Sequence, residues 1–125
     1  MLHVIKGASS KDGLNWEQNN SNLPYSIGEL QAFSRPTVIK NNDRLEMWFS
    51  YRNNKNTKYR IGYAHTFNYQ DWTINNELVG IDISKNGWDN EMICYPYVFN
   101  HDGNTYMLYN GNGFGKTGIG IAILI

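Results

Sequence analysis

Three acidic side chains stand at related places in the sequence. Glu29 lies six residues before Arg35 and Asp89 lies six residues before Tyr95, so the two acids have matching positions in two similar segments. Glu91 follows Asp89 by two residues. Carboxyl groups in loops can exchange protons with a bound molecule. They can equally be exposed loop acids, or hydrogen-bond acceptors that anchor a loop, and the sequence leaves both interpretations open.

Two arginines and a tryptophan could contact a ligand near these acids. Arg35 carries a guanidinium that can form paired hydrogen bonds with hydroxyl or carboxylate groups, or it can form an ion pair with Glu29. Arg52 is a weaker candidate of the same kind, and the residue at its repeat position is Asn112. Trp88 lies in the same loop as two of the acids, where a flat ring could stack on a ligand.

The other residues with reactive side chains predict no metal, cofactor or nucleotide site. The three histidines lack the spacing of zinc ligands, and nothing specifies a calcium site. We interpret Cys94, the one cysteine, as a small buried hydrophobe. The glycine-rich run 110–118 lacks the glycine spacing of a phosphate loop and leads into a predicted strand. It is interpreted as a hairpin loop.

Composition narrows the classes of partner. The 125 residues include 11 basic and 11 acidic side chains, so the formal net charge is zero, which is not typical of a nucleic-acid-binding domain. No apolar run approaches the ~20 residues of a membrane span, and the N-terminal residues lack the pattern of a signal peptide. We therefore expect no nucleic-acid or membrane partner, and we assign no location.

An internal repeat organises the chain. Segment 34–49 resembles segment 94–109, since both contain a proline, an apolar strand, a polar turn and a second strand with methionine at the same place. A short Ile-x-x-Ala element occurs at 5–8, 61–64 and 119–122, at nearly equal spacings. Two interleaved elements of nearly the same period indicate a repeated structural unit.

The repeat unit is rich in strand signals. No apolar period of 3.6 residues persists along the chain, so no helix is predicted. Strand-forming residues bounded by turn residues predict strands at 44–51, 58–66, 72–75, 104–110 and 117–124. Long polar connections are expected at 19–33 and 77–93.

Four antiparallel strands in a unit of this length are typical of a β-propeller blade. We predict an all-β fold with about two blades in one partial domain, residues 1–125: a half blade at 3–18, a full blade at 35–76 and a three-stranded partial blade at 95–124. A propeller ring needs at least about four blades. A sandwich of two packed sheets is the alternative.

Four sequence strings resemble those of a known superfamily. They are Ala-Ser-Ser-Lys-Asp-Gly-Leu-Asn-Trp at 8–16, Arg-Pro-Thr-Val-Ile at 35–39, Ile-Gly-Tyr-Ala at 61–64 and Tyr-Met-Leu-Tyr-Asn-Gly at 106–111. These strings are similar to those of the five-bladed β-propeller glycoside hydrolases, which include arabinanase/xylosidase and invertase/levansucrase enzymes. The resemblance covers nearly the whole chain and is closest to the last two blades. It implies a fragment of a longer propeller that lacks its N-terminal blades.

The resemblance also implies a chemistry. Glycoside cleavage uses one carboxyl group to protonate the leaving oxygen and another to assist attack from the opposite face. The superfamily places such groups in a central funnel, just before the innermost strands, and its usual base lies in the first blade. The residues expected to act as funnel carboxylates are Glu29, Asp89 and Glu91, and those expected to bind the sugar are Arg35, Arg52 and Trp88.

Two functions from different classes follow. The first is a glycoside hydrolase-like propeller fragment that binds or acts on a glycan and is inactive alone. The second is a non-catalytic carbohydrate- or protein-binding module that completes its ring by oligomerisation. In the second case the exposed strands at the two ends of the chain would complement each other between copies. Whether the chain is an enzyme is left open at this point.

Overall fold

The computed structural model describes residues 2–24 and 26–125. Within these residues the chain forms ten β-strands and two short helical turns. The strands are β1 (Lys6–Ser9), β2 (Glu17–Asn22), β3 (Ser26–Ile27), β4 (Leu30–Asn41), β5 (Arg44–Asn53), β6 (Tyr59–Thr66), β7 (Thr73–Ile74), β8 (Cys94–His101), β9 (Asn104–Asn110) and β10 (Ile119–Ile123). The turns are a 3-10 turn (Asn76–Leu78) and a single helical turn α1 (Asn112–Gly115). No helix in the described ranges is long and apolar enough to cross a membrane.

The strands form three antiparallel sheets. The first pairs β1 with β2, the second has the order β3-β4-β5-β6-β7, and the third has the order β8-β9-β10. Each larger sheet contains a long strand that turns back through a tight hairpin and continues outward, as a propeller blade does. The all-β prediction and the antiparallel blade pattern are confirmed.

The repeat is visible in the backbone as well as in the sequence. Arg35 and Tyr95, which occupy matching repeat positions, both have a positive φ, of 48° and 57°. Such values are rare outside glycine. At the same points the pairing registers of β4 and β8 with their neighbours shift. A bulge of this kind re-aims the side chains of a strand, and both blades carry it at the same repeat position.

One long connection differs from the prediction. The stretch 19–33 contains most of β2, all of β3 and the first residues of β4. Its polar composition predicted a connection without strands, but the backbone at Leu30 and Gln31 pairs with the end of β5. Ala32 and Phe33 are completely buried there. The other connection, 77–93, contains no strand and packs against the sheets through Val79, Ile81 and Ile83.

Two apolar clusters hold the sheets together. The first lies between β1–β2 and the five-stranded sheet, and its buried members are Leu23, Phe33, Met47, Phe49 and Ala64. The second lies between the five-stranded and three-stranded sheets, and its buried members are Ile61, Ile93, Val98, Met107 and Tyr109. Side chains alternate along β5, so Met47 and Phe49 enter the first cluster while Trp48 packs on the second. The five-stranded sheet is therefore covered on both faces.

A buried carboxylate stabilises the five-stranded sheet near the β4–β5 hairpin. Glu46 is 6% exposed and its Oε1 accepts a hydrogen bond of 2.6 Å from the Tyr63 hydroxyl. Asn41 and Arg44 also donate to the carboxylate, at 2.9 and 2.7 Å. Burial raises the pKa of Glu46, but these hydrogen bonds outweigh it, and the net pKa lies below the ordinary 4.5. Burial and the Glu46 contact raise the pKa of Tyr63 to about 12.

We predict that Glu46→Gln lowers the free energy of unfolding by about 1–3 kcal/mol at neutral pH, because a buried network loses its charge. The unfolded chain binds this proton more readily. The stabilisation is therefore present above pH 4.5 and is lost as the pH falls through the lowered pKa. Urea unfolding at about pH 7 and about pH 3 measures the change. Glu77→Gln, at an exposed position, is the control. An equal loss at both pH values would contradict the prediction.

Candidate functional site

The sheet topology brings the predicted site residues to one end of the molecule. We call this the head end, where β4 and β8 begin and β5 finishes. Leu30 pairs with Asn53, which places the start of β4 beside the finish of β5. The Tyr95 amide donates to Ser50 Oγ at 2.7 Å, which ties the start of β8 to the same level. The sequence candidates at this end are Glu29, Arg35, Arg52, Trp88, Asp89 and Glu91.

Glu29 lies in the turn between β3 and β4 and is exposed. It forms an ion pair with Lys55 and accepts a hydrogen bond of 3.2 Å from Asn53 Nδ2. These contacts hold the pKa of the Glu29 carboxyl below its usual value, Lys55 making the largest contribution. The sequence left open an ion pair between Arg35 and Glu29. In the structure the cation paired with Glu29 is Lys55.

Asp89 and Glu91 share a loop but have different surroundings. Asp89 is 4% exposed and accepts a hydrogen bond of 3.0 Å from the Tyr109 hydroxyl. Burial, together with this carboxylate, raises the pKa of Tyr109 to about 12. Glu91 is exposed and forms an ion pair with Lys58. Glu29 and Glu91 therefore contact lysines of the same β5–β6 loop, while Asp89 is turned into the blade.

Trp88 packs against the loop that follows β9. Its ring stacks on Tyr109 with centroids 5.6 Å apart. Three glycines of the region after β9 lie against it, and a Cβ built on Gly111 would come within 2.3 Å of the indole ring. The glycine-rich run thus makes room for the tryptophan, since no other residue type allows so close an approach. The ring is half-buried, and its contact with a sugar stays a prediction.

Asn112 joins two loops at the head end, and sequence reasoning did not assign it this role. Its Oδ1 accepts hydrogen bonds from the amides of Glu91 and Met92, at 2.8 and 3.1 Å. Its Nδ2 donates to Asn90 Oδ1 at 2.9 Å. The signal was present, because the repeat has Arg52 at the matching position of the other blade. The change from arginine to asparagine between two otherwise similar repeats indicates a role that is specific to the second blade.

A row of aromatic rings beside Arg35 was also missed from the sequence. The Arg35 guanidinium lies 4.3 Å from the centre of the Tyr95 ring. Phe114 stacks on Tyr95 with centroids 5.8 Å apart, and Tyr59 meets Phe114 edge-on at 5.7 Å. We call these four side chains the aromatic row. Four separate chain segments supply it, which is why no sequence spacing revealed it.

Phe114 is the exposed ring of the aromatic row. Its side chain is 51% exposed, and its backbone has a φ of 60° inside the α1 turn. A left-handed phenylalanine costs about 1–3 kcal/mol and persists where the surrounding structure imposes it. Arg35 is also exposed, and a shallow groove runs below it between β4 and β8, lined by Pro36, Val38, Tyr95 and Tyr97.

Arg52 lies near the end of β5, half-buried between its strand partners Gln31 and Tyr59. It is thus next to the aromatic row in the sheet register. Among the residues that the structure describes, no group of three or more His, Cys, Asp or Glu side chains is arranged to hold a metal ion.

Solved structures resemble this fold. Zg3597, a family 117 glycoside hydrolase produced by the marine bacterium Zobellia galactanivorans, superposes with a TM-score of 0.71 at 16% identity, over 94% of this chain and 37% of that chain. A protein described as "Glycoside hydrolase" and a BT0996 RGII complex each give 0.62 at 23% and 22% identity, over 93% of this chain and 33% of theirs. The predicted resemblance to blades of glycoside hydrolase propellers is confirmed. At these identities it is a likeness of fold.

Two curated relatives are closer in sequence. Uncharacterized proteins MT1551 and Rv1502, from Mycobacterium tuberculosis strains CDC 1551 / Oshkosh and ATCC 25618 / H37Rv, are each 41% identical over 123 residues. The match covers 98% of this chain and 40% of each relative, so the chain spans less than half of their length. No protein-family model matches the chain.

We predict that Asn112→Ala loosens the 87–92 loop. The substitution removes the acceptor of two backbone amides, which costs about 1–3 kcal/mol where such groups stay buried. Hydrogen exchange at Glu91 and Met92 should become faster than in the wild type. Asn112→Asp keeps the acceptor oxygens and should change these two amides less. Unchanged exchange in Asn112→Ala would contradict the anchoring role.

Proposed function

We propose that this chain is part of a glycoside hydrolase-like propeller and binds a glycan at the head end. The observation that carries the proposal is the aromatic row, in which the exposed Phe114 ring lies between Tyr95 and Tyr59 and the Arg35 guanidinium lies over Tyr95. Sugar sites combine flat apolar surface with a few polar groups that fix orientation. An arginine fork supplies such groups for neighbouring hydroxyls. The likeness to glycoside hydrolase structures supports the same class of ligand.

The carboxyl groups at the head end have different surroundings, so each suits a different part in proton exchange with a glycan. A general acid needs a proton at working pH, whereas the lowered pKa of Glu29 keeps its carboxyl ionised, which suits a group that stabilises positive charge. Asp89 has a different setting, because it is buried against the phenol of Tyr109. We assign Glu29, Asp89 and Glu91 as the candidate catalytic carboxylates, with Arg35, Arg52 and Trp88 as candidate sugar contacts.

Catalysis would require more than these residues. The chain spans 40% of its curated relatives and about a third of the similar structures. A funnel built from so few blades admits water around the reacting bond, which weakens electrostatic stabilisation of the transition state. We therefore expect this chain to bind a glycan without hydrolysing it, with the missing walls supplied by further blades or by other copies.

We predict that Phe114→Ala lowers glycan affinity at least tenfold, a loss of about 1.4 kcal/mol, because the exposed stacking surface disappears. Binding is measured by NMR titration of the chain with xylo-, arabino- and galacto-oligosaccharides. Phe67→Ala is the matched control, because Phe67 is 59% exposed and follows β6 at the opposite end. Arg35→Ala should also weaken binding. Failure of every oligosaccharide to shift head-end resonances would overturn the proposal.

Hydrolysis is tested separately with aryl glycosides of the same sugars. Binding without turnover is the expected result. Turnover would show that the chain is catalytic by itself, and Glu29→Gln, Asp89→Asn and Glu91→Gln would then identify which carboxylate carries it. Turnover that survived all three substitutions would remove these residues as catalytic candidates.

A further inference from the structure

Asparagine stands directly before glycine at three places in the chain. The pairs are Asn86–Gly87, Asn110–Gly111 and Asn112–Gly113. An asparagine side chain can react with the main-chain nitrogen of the next residue, and glycine hinders that reaction least because it has no Cβ. The three pairs have the same local sequence, so any difference between them comes from the fold.

Two of the asparagines are held by hydrogen bonds. The Asn110 side chain donates to the Phe114 carbonyl at 3.0 Å, and the Gly111 amide donates to the Gly118 carbonyl at 3.0 Å. Asn112 uses both ends of its side chain, because Oδ1 accepts from two main-chain amides and Nδ2 donates to a neighbouring asparagine. Both asparagines are only partly exposed. To react, either side chain would first have to leave these partners, which requires a local opening of the fold.

Asn86 has no such restraint. It lies exposed in the middle of the 84–89 loop, whose ends are joined by the Ser84 amide donating to the Asp89 carbonyl at 3.3 Å. Within residues 2–24 and 26–125, neither the Asn86 side chain nor the Gly87 amide makes a hydrogen bond. A Cβ built on Gly87, where φ is 108°, would meet no atom within 4 Å outside its chain neighbours. Water therefore reaches both reacting groups in the folded protein.

We propose that Asn86 is a modification site, at which deamidation in the folded protein converts the side chain to aspartate or isoaspartate. The Gly87 nitrogen gives up its proton and attacks Cγ of Asn86, which forms a cyclic succinimide. The bond from Cγ to Nδ2 breaks, and the departing nitrogen takes up a proton and leaves as ammonia.

Water is the co-reactant that completes the conversion. Addition of water at Cγ breaks the bond from Cγ to the Gly87 nitrogen and gives aspartate. Addition at the main-chain carbonyl of residue 86 breaks the original peptide bond instead and gives isoaspartate. The net reaction consumes one water and releases one ammonia, with no oxidation or reduction.

The modification changes the loop that carries Trp88, Asp89 and Glu91. A neutral amide becomes a carboxylate, so the formal net charge of the chain moves from zero to one negative unit. Isoaspartate also adds a carbon atom to the main chain before Gly87, whose carbonyl accepts from Asn112 Nδ2 at 3.4 Å. The inference goes beyond glycan binding and does not rest on it.

Mass spectrometry tests the proposal on the folded chain, incubated at mildly alkaline pH well below its unfolding temperature. Digestion at mildly acidic pH then stops the reaction, and each deamidation is detected as a gain of about one mass unit. Asn86 should convert at least about tenfold faster than Asn110 and Asn112, because those two react only through local opening. Chromatography of the 86–87 peptide should separate the aspartate and isoaspartate products.

The same incubation in concentrated urea is the internal control, because all three asparagine-glycine pairs are then free and should convert at similar rates. Asn86→Gln is the matched variant. Its longer side chain would have to close a larger ring, so this position should stay unmodified while Asn110 and Asn112 behave as in the wild type.

Two results would contradict this assignment. One is conversion of Asn110 or Asn112 in the folded chain at the rate of Asn86. The other is an Asn86 that converts more than about tenfold more slowly in the folded chain than in urea, which would show that the fold protects it. Neither result bears on glycan binding, which the oligosaccharide titrations test separately.

Discussion

The five-stranded sheet β3–β7 depends on being covered on both faces. Alternating side chains of β5 point in both directions, with Phe49 on one side and Trp48 on the other, so each face presents large apolar groups that must leave water. Burying each such large side chain stabilises the fold by about 1.5–3 kcal/mol. The β1–β2 sheet covers one face, and the three-stranded sheet covers the other. A blade in this protein is therefore a layer that requires other layers.

The same layered packing builds the head end. Because β8 lies beside β4, the Tyr95 amide reaches Ser50 and the Arg35 guanidinium reaches the Tyr95 ring. The segments that follow β5 and β9 then bring Tyr59 and Phe114 alongside. Lysines of the β5–β6 loop neutralise the two exposed acids. The arrangement leaves a ring surface and a guanidinium facing outward, whereas the carboxylates have protein partners.

Particular residues explain where sequence reasoning succeeded and where it did not. The hairpin strands 44–51 and 104–110 were predicted nearly as they occur, because each combines strand formers with a turn at a repeated position. The strand at Leu30 was missed because its surroundings are polar, while its pairing with Asn53 is a backbone contact between distant segments. Trp88 was assigned from its loop position, but its stacking on Tyr109 and its close glycines involve residues far along the chain.

The amino-acid sequence by itself determined the all-β class, the blade repeat and the approximate positions of the main hairpins, because these depend on local alternation and turn chemistry. It also determined that Glu29 and Asp89 hold matching positions in the repeat and that Glu91 follows Asp89 by two residues. Only the tertiary structure decided which of these acids is buried, which partners neutralise the others, and that Arg35, Tyr95, Phe114 and Tyr59 form one row. Those facts depend on how separate sheets pack, and burial and pairing between distant segments leave no periodic signal along a single chain.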